Sequence, residues 1–209
     1  MQKKDRYHVA VVGATGAVGN EMISILEERK FPVADLRLLA SSRSTGKSLS
    51  FNGKEHHVEE LNASSFRGID IALFSAGASR SLEFAPIAVK SGAVVVDNSS
   101  AFRMEEGIPL VVPEVNAKEI FHHKGIIANP NCSTIQMCVA LKPLHDKWKI
   151  RRIVVSTYQS VTGAGQKGVN QLYAEIEEED SYEKKFPHPI AYNVLPHIDV
   201  FADYGYSRE

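Results

Sequence analysis

Cysteine is scarce in this chain: Cys132 and Cys138 are the only two in 209 residues. Two thiols six positions apart make no disulfide framework, and a reducing cytoplasm suits them better than a secreted setting. No apolar run approaches the roughly 18 residues that span a bilayer. The polar start, Met1-Gln2-Lys3-Lys4-Asp5-Arg6, lacks the apolar core of a signal peptide. Net charge is −1, so neither a general nucleic-acid binder nor a membrane-surface protein is indicated. No nucleic acid and no membrane is expected among its partners. Internal repeats and low-complexity segments are missing too. The histidine pairs His56-His57 and His122-His123 are adjacent rather than spaced as metal ligands on one face, and no metal site is expected.

What is there is an ordinary globular composition, 44% hydrophobic, and length enough for one domain plus part of another. His8-Val9-Ala10-Val11-Val12 reads as a buried parallel strand. A glycine-rich turn follows, then a helix over about Val18–Arg29, with Met22, Ile25 and Leu26 at helical spacing. Further strands are expected at 36–40, 69–74, 94–96 and 125–128, with a helix through Leu82 to Lys90. Strand and helix alternating over short connections predict an α/β fold, a doubly wound, parallel, Rossmann-like sheet. From Ile150 the pattern changes. A long strand is expected over 153–158 and a helix over 166–178, the beginning of a second, α+β domain. The boundary is placed at Asn131: a cofactor domain over 1–131 and a partial catalytic and dimerisation domain over 132–209.

Gly13-Ala14-Thr15-Gly16-Ala17-Val18-Gly19 lies between the first strand and the first helix. Glycines there let the backbone turn tightly and approach a pyrophosphate, and the helix N-terminus offers N–H groups to the anion. The spacing G-x-x-G-x-x-G is a variant of the dinucleotide fingerprint, strengthened by its strand-before, helix-after context. A tight turn without a ligand is the plainer alternative. The end of the second strand bears on the choice of cofactor. An NAD enzyme usually places Asp or Glu there. This chain has Ser41-Ser42-Arg43-Ser44, with hydroxyl donors around a guanidinium that can grip a phosphate bidentately, which favours NADP.

Asn129-Pro130-Asn131-Cys132-Ser133-Thr134 precedes a helical apolar run. Pro130 disfavours helix at Asn129, and Asn131 is a natural N-cap. Cys132 therefore falls in the first turn of a helix, where the dipole favours the nucleophilic thiolate and free N–H groups can stabilise an oxyanion. Cys138, mid-helix in an apolar stretch, reads as a packing residue.

Four motifs in order now combine: the glycine turn, Asp97-Asn98-Ser99-Ser100-Ala101-Phe102-Arg103, the Cys132 segment, and Ser156-Thr157-Tyr158-Gln159-Ser160-Val161-Thr162-Gly163-Ala164-Gly165. Together they resemble aspartate-semialdehyde dehydrogenase from about Tyr7 to the last residue. Val111–Asn116 and Leu195–Asp199 also look like family segments. The resemblance implies a cytoplasmic enzyme of lysine, diaminopimelate, threonine, methionine and isoleucine synthesis. It reduces L-aspartyl 4-phosphate to L-aspartate 4-semialdehyde with NADPH and releases phosphate. By family match Cys132 forms a thioester with the substrate, reduced by hydride from the nicotinamide. Gln159 positions reacting groups, Arg103 binds the substrate phosphate, and Asn131 contacts substrate or oxyanion. Gly13, Thr15, Gly16, Ala17, Val18, Gly19, Ser41, Arg43, Ser44, Ser75, Ala76, Gly77, Asn98, Gly163, Ala164 and Gly165 are carried over as the cofactor set.

Family members are longer, and their catalytic His and carboxylate-binding Arg lie in a downstream segment. The chain is therefore expected to be incomplete at its C-terminal end and to form a homodimer or homotetramer only at full length. His188 and His197 do not take the catalytic role. N-Acetylglutamyl-phosphate reductase, which shares the fold type and a cysteine nucleophile, is the rival in the same chemical class. A catalytically incomplete NADP-binding fragment is the rival outside it.

Overall fold

A computed structural model describes residues 3–179, 181–196, 198 and 200–207. The chain divides into two compact units, Met1–Thr157 and Tyr158–Glu209.

The first unit is built on β1 (Tyr7–Val12), α1 (Ala17–Glu28), β2 (Val33–Ala40), β3 (Ser48–Phe51), β4 (Lys54–Glu60), β5 (Ile71–Phe74), α2 (Ala78–Lys90), β6 (Val94–Asp97), the short α3 (Pro113–Asn116), β7 (Ile126–Ala128) and α4 (Cys132–Trp148). The strands form one seven-stranded sheet in the order β3-β4-β2-β1-β5-β6-β7. Every neighbouring pair is parallel except β3 with β4. The chain leaves β1 toward β2 on one side and β5 on the other, so the order reverses at β1. That reversal opens a crevice at the carboxyl ends of the strands, the usual ligand position in open α/β sheets.

Alternate residues of β1 feed two cores. Ala10 and Val12 pack with Phe74, Phe84, Ala85, Ala88 and Val95 on one face. Val9 and Val11 pack with Ile23, Leu36, Leu38 and Val58 on the other. With α2 covering the first face and α1 the second, the sheet is doubly wound, and β1 is buried on both sides as its continuous apolar run predicts.

Three expectations change. The buried side chain of α1 is Ile23, at 4% exposure, while Ile25 stands 37% exposed. A Cβ on Gly19 would lie 2.2 Å from the Gly13 oxygen, so Gly19 must face the turn. That contact sets the rotation of α1, and Ile23, one turn on, follows Gly19 inward. The β3–β4 hairpin was not anticipated. It turns at Asn52 and Gly53, with φ of 51° and 70°, and pairs Phe51 with Lys54. Residues 153–158 form no strand; Val154 is 82% exposed. A strand exists through its ladder, and among the described residues nothing pairs with this one.

The second unit contains a 3-10 turn, Val161–Ala164, and α5, Gln166–Ile176. Its side chains grip the following loop. Gln171, 1% exposed, accepts hydrogen bonds from the N–H groups of Lys185 and Phe186 at 2.6 and 2.8 Å. Glu175, one turn on, accepts those of Ile190 and Ala191 at 2.7 and 2.8 Å. Burial pushes the Glu175 carboxyl up. The Ala191 N–H, the Gln171 amide, the Ile190 N–H and the Tyr182 hydroxyl outweigh it, and the net shift is downward. Tyr182 shifts upward, through burial and then its bond to Glu175. His197 and Asp199 lie outside the described residues.

Candidate active site

The loops leaving β1, β5, β6 and β7 are stitched side by side at one edge of the sheet. Gly13 N–H donates to Leu39 O, Ser75 N–H to Val12 O, Asn98 N–H to Phe74 O and Asn129 N–H to Asp97 O, all at 2.8–2.9 Å. Glycine turn, cofactor-side loop and cysteine loop therefore start from adjacent carboxyl ends.

The glycine turn is close-packed at two of its three glycines. Gly13 has φ 87°, and a Cβ there would lie 2.6 Å from Ser75 O; Gly19 meets Gly13 O as described above. Gly16 differs. Its φ is −78°, and a Cβ would find only Gly13 O at 3.4 Å, an ordinary contact. The protein's own packing does not demand glycine at 16, whereas close approach of a ligand backbone or phosphate would. No side chain caps the N-terminus of α1 at Gly16, so its first N–H groups point into the turn without a side-chain acceptor. Asn20 reaches back to the Ala14 and Gly16 carbonyls at 3.2 and 2.8 Å. The turn thus presents donors and hides acceptors, which fits a dinucleotide pyrophosphate.

A cleft of about 620 Å³ opens over this turn. It gathers Gly13, Thr15, Gly16, Ser41, Arg43, Ser75 and Ala76 from the expected cofactor set. Thr15 Oγ1 donates to Ser44 Oγ at 3.3 Å and so ties the turn to the loop bearing Arg43. Ala17 and Val18 form the first turn of α1, and Gly77, φ 86°, precedes α2. Asn98 lies beyond β6 among the cysteine-loop contacts. Gly163 and Ala164 belong to the second unit's 3-10 turn; Gly165, φ 77°, precedes α5, and Gln159 lies upstream, exposed. The cleft also holds residues that the sequence did not single out: Glu60 and Leu61 at the end of β4, and Arg80, Glu83 and Phe84 on α2. The i, i+3, i+4 spacing of the last three is the signal that could have placed them on one helix face.

Cys132 is the first residue of α4 and is exposed. The Asn131 side-chain oxygen Oδ1 accepts from the N–H groups of Ser133 and Thr134 at 2.9 and 3.5 Å, the expected N-cap. Cys138 is half-buried in the same helix, and both thiols are free of disulfide. Arg103 is half-buried and bonded to the cysteine loop: its Nε donates to Asn129 O at 3.0 Å and an Nη to Asn98 O at 3.2 Å. Asn129 Nδ2 donates to Asn98 Oδ1 at 2.5 Å. Beneath them Asp97, 0% exposed, accepts from the Ser81 and Ser99 hydroxyls at 2.6 and 2.7 Å and from the Ser99 N–H at 3.2 Å. Asp97 opens the Asp97–Arg103 motif, and its anchoring role follows from burial that no local pattern reveals. Among the described residues no His, Cys, Asp or Glu cluster could hold a metal ion, and no helix is long and apolar enough to cross a membrane.

The family model described as semialdehyde dehydrogenase, NAD binding domain, matches residues 8–123, and that of the semialdehyde dehydrogenase dimerisation domain matches 141–209. The aspartate-semialdehyde dehydrogenase of Aquifex aeolicus is 60% identical over 97% of this chain, which spans 62% of that relative's length. The crystal structure of aspartate semialdehyde dehydrogenase II of Vibrio cholerae complexed with ASA superposes with a TM-score of 0.90 at 48% identity, over 98% of this chain and 63% of that one. That of the Candida albicans enzyme with NADP gives 0.59 at 29% identity, over 69% of this chain and 48% of the other. The chain belongs to the semialdehyde dehydrogenase family.

Proposed function

We propose that this chain carries the cofactor-binding and nucleophile-bearing machinery for reducing L-aspartyl 4-phosphate to L-aspartate 4-semialdehyde with NADPH, with release of phosphate. The observation that carries the reading is Cys132: an exposed thiol on the first residue of an Asn-capped helix, four residues beyond β7, whose carboxyl end opens on the same side of the parallel sheet as that of β1, which the glycine turn follows.

In this reaction the sulfur attacks the acyl carbon, the bond from that carbon to the phosphate oxygen breaks, and a thioester forms on Cys132. The Cys132 N–H and the positive end of the α4 dipole stabilise the charge that develops on the carbonyl oxygen. Arg103 uses two of its five donors on backbone carbonyls and offers the rest to the substrate phosphate. Asn131 keeps the helix start in place and contacts substrate, and Gln159 orients the reacting groups. When bound, the nicotinamide supplies the hydride that reduces the thioester. The turn at 13–19 holds the pyrophosphate, with Ser75, Ala76, Gly77, Asn98 and residues 163–165 approaching the same cofactor. Arg43, with Ser41 and Ser44, receives the 2′-phosphate and favours NADP over NAD. The NADP-bound Candida albicans relative supports that choice. The free thiols suit a cytoplasmic protein. The dimerisation-domain match supports oligomerisation, here read as a homodimer or homotetramer. The reaction serves the biosynthesis of lysine, diaminopimelate, threonine, methionine and isoleucine. The functional boundary between the domains is placed at 131/132.

The test is acylation. The chain mixed with L-aspartyl 4-phosphate should release phosphate and gain one aspartyl group, mapped by mass spectrometry to Cys132 and absent from Cys132→Ser. An adduct elsewhere, or none, rejects the reading.

A further inference from the structure

The cofactor cleft contains two arginines where the sequence pointed to one. Arg43 follows β2, and Arg80 stands in the first turn of α2, which follows β5. Strands β2 and β5 flank β1, so the two cations reach the cleft from opposite sides of the glycine turn. Resting on the reading of this cleft as an NADP site, we propose that Arg80 is a second determinant of selectivity for the phosphorylated dinucleotide, held ready by Glu83.

Three observations support it. The first is orientation. Ser81, the next residue, is 0% exposed and donates to buried Asp97 at 2.6 Å. That bond fixes the rotation of α2 and leaves Arg80, Glu83 and Phe84 on the face that lines the cleft. The second is the ion pair. Arg80 Nη1 and Glu83 Oε2 stand 2.9 Å apart with side chains 56% and 52% exposed. An exposed i,i+3 pair contributes little to stability, so the fold does not explain it. Glu83 takes one of five guanidinium donors and steers the group, while the others remain for a phosphate. The third is charge balance. Glu60 and Glu83 line the same cleft as Arg43 and Arg80. A phosphate monoester brings about −1.5 to −2 charges at neutral pH. Against two carboxylates one arginine leaves the cleft net negative, and with both cations it is neutral before the phosphate arrives. Leu61 and Phe84 add apolar wall suited to a purine beside these charges.

The experiment measures binding of 2′,5′-ADP and 5′-AMP to the chain by calorimetry, for wild type, Arg43→Gln, Arg80→Gln and Glu83→Gln. Wild type should prefer 2′,5′-ADP. Arg80→Gln should lose about tenfold of that preference while 5′-AMP affinity stays within about twofold. Glu83→Gln, which removes an acid and keeps the arginine, should hold or raise the preference. All side chains changed are exposed or at the cleft, and circular dichroism checks that each variant folds. If Arg80→Gln keeps the wild-type ratio while Arg43→Gln loses it, Arg80 has no such role and the NADP reading stands. If wild type itself shows no preference, the NADP reading falls and takes this inference with it.

Discussion

The oxygen of Gly13 occupies the place where a side chain on Gly19 would begin, 2.2 Å from the ideal Cβ, and Ala14 Cα would stand 2.8 Å away. Both obstacles are backbone, so neither can rotate aside. Gly19→Ala must push α1 off the turn, at a cost of about 1–3 kcal/mol. Gly16→Ala meets no such obstacle, and its stability should change by less than about 1 kcal/mol. The two variants should therefore separate. Urea unfolding should show the loss for Gly19→Ala, whereas NADP binding should fall in both, at least tenfold for Gly16→Ala. Equal stability losses would mean that Gly16 is a packing glycine and would weaken the pyrophosphate reading.

The contrast between the two cysteines gives a chemical prediction. Cys132 is exposed at the opening of a capped helix, and Cys138 is half-buried a turn and a half further on. Iodoacetamide near neutral pH should alkylate Cys132 at least tenfold faster, read by peptide mass mapping over time. Asn131→Ala removes the cap and should cost about 1 kcal/mol while narrowing that rate gap. Equal slow rates at the two sulfurs would favour a cofactor-binding module without catalysis.

How much of this was legible in the sequence depends on how local each cause is. The strand β1 was readable because burial on both faces leaves an unbroken apolar run at 9–12. The cap at Asn131 was readable because capping is chemistry between neighbours. The hairpin strand β4 was not, since Lys54–Glu60 carries a single buried apolar residue, Val58. The Asn52-Gly53 pair was its only signal. The opposite error occurred at 153–158, where β-branched residues suggest a strand that composition alone cannot supply with a partner. In the site, Gly13, Thr15 and Arg43 follow their strands directly and were found. Arg80 and Glu83 reach the cleft only because Ser81 turns inward to Asp97, a contact 16 residues away.

That buried carboxylate carries the next prediction. Asp97 joins Ser81 on α2 to Ser99 in the loop that leads to Arg103, and its own carbonyl receives the Asn129 N–H. Asp97→Ala would leave two hydroxyls and an N–H without their acceptor, about 1–3 kcal/mol for each group left unsatisfied. Asp97→Asn keeps the shape and one acceptor oxygen and should recover part of the loss. Thermal unfolding should rank wild type above Asn and Asn above Ala. An Ala variant as stable as wild type would remove Asp97 as the anchor of the two loops.

The last prediction concerns pH and the second unit. Glu175 holds the Ile190 and Ala191 N–H groups with one oxygen and meets Gln171 and Tyr182 with the other. Its folded pKa is lowered from the ordinary 4.5, so the folded form binds its proton less readily than the unfolded chain does. The stabilisation is therefore fully present above that ordinary value and is lost as pH falls through the lower folded one. Asp70, lowered chiefly by the Lys4 hydrogen bond at 2.6 Å, follows the same sign in the first unit. A global melt would mix the two, so the measurement must be local. Amide hydrogen exchange at Ile190 and Ala191, corrected for the intrinsic pH dependence, should lose protection on acidification below the ordinary carboxylate range. In Glu175→Gln the amide cannot titrate. Protection there should be lower at neutral pH, because a single acceptor oxygen replaces a carboxylate, and flat on acidification. Wild-type protection that stays constant through the acid range would show that backbone contacts, not the carboxylate, hold this loop to α5.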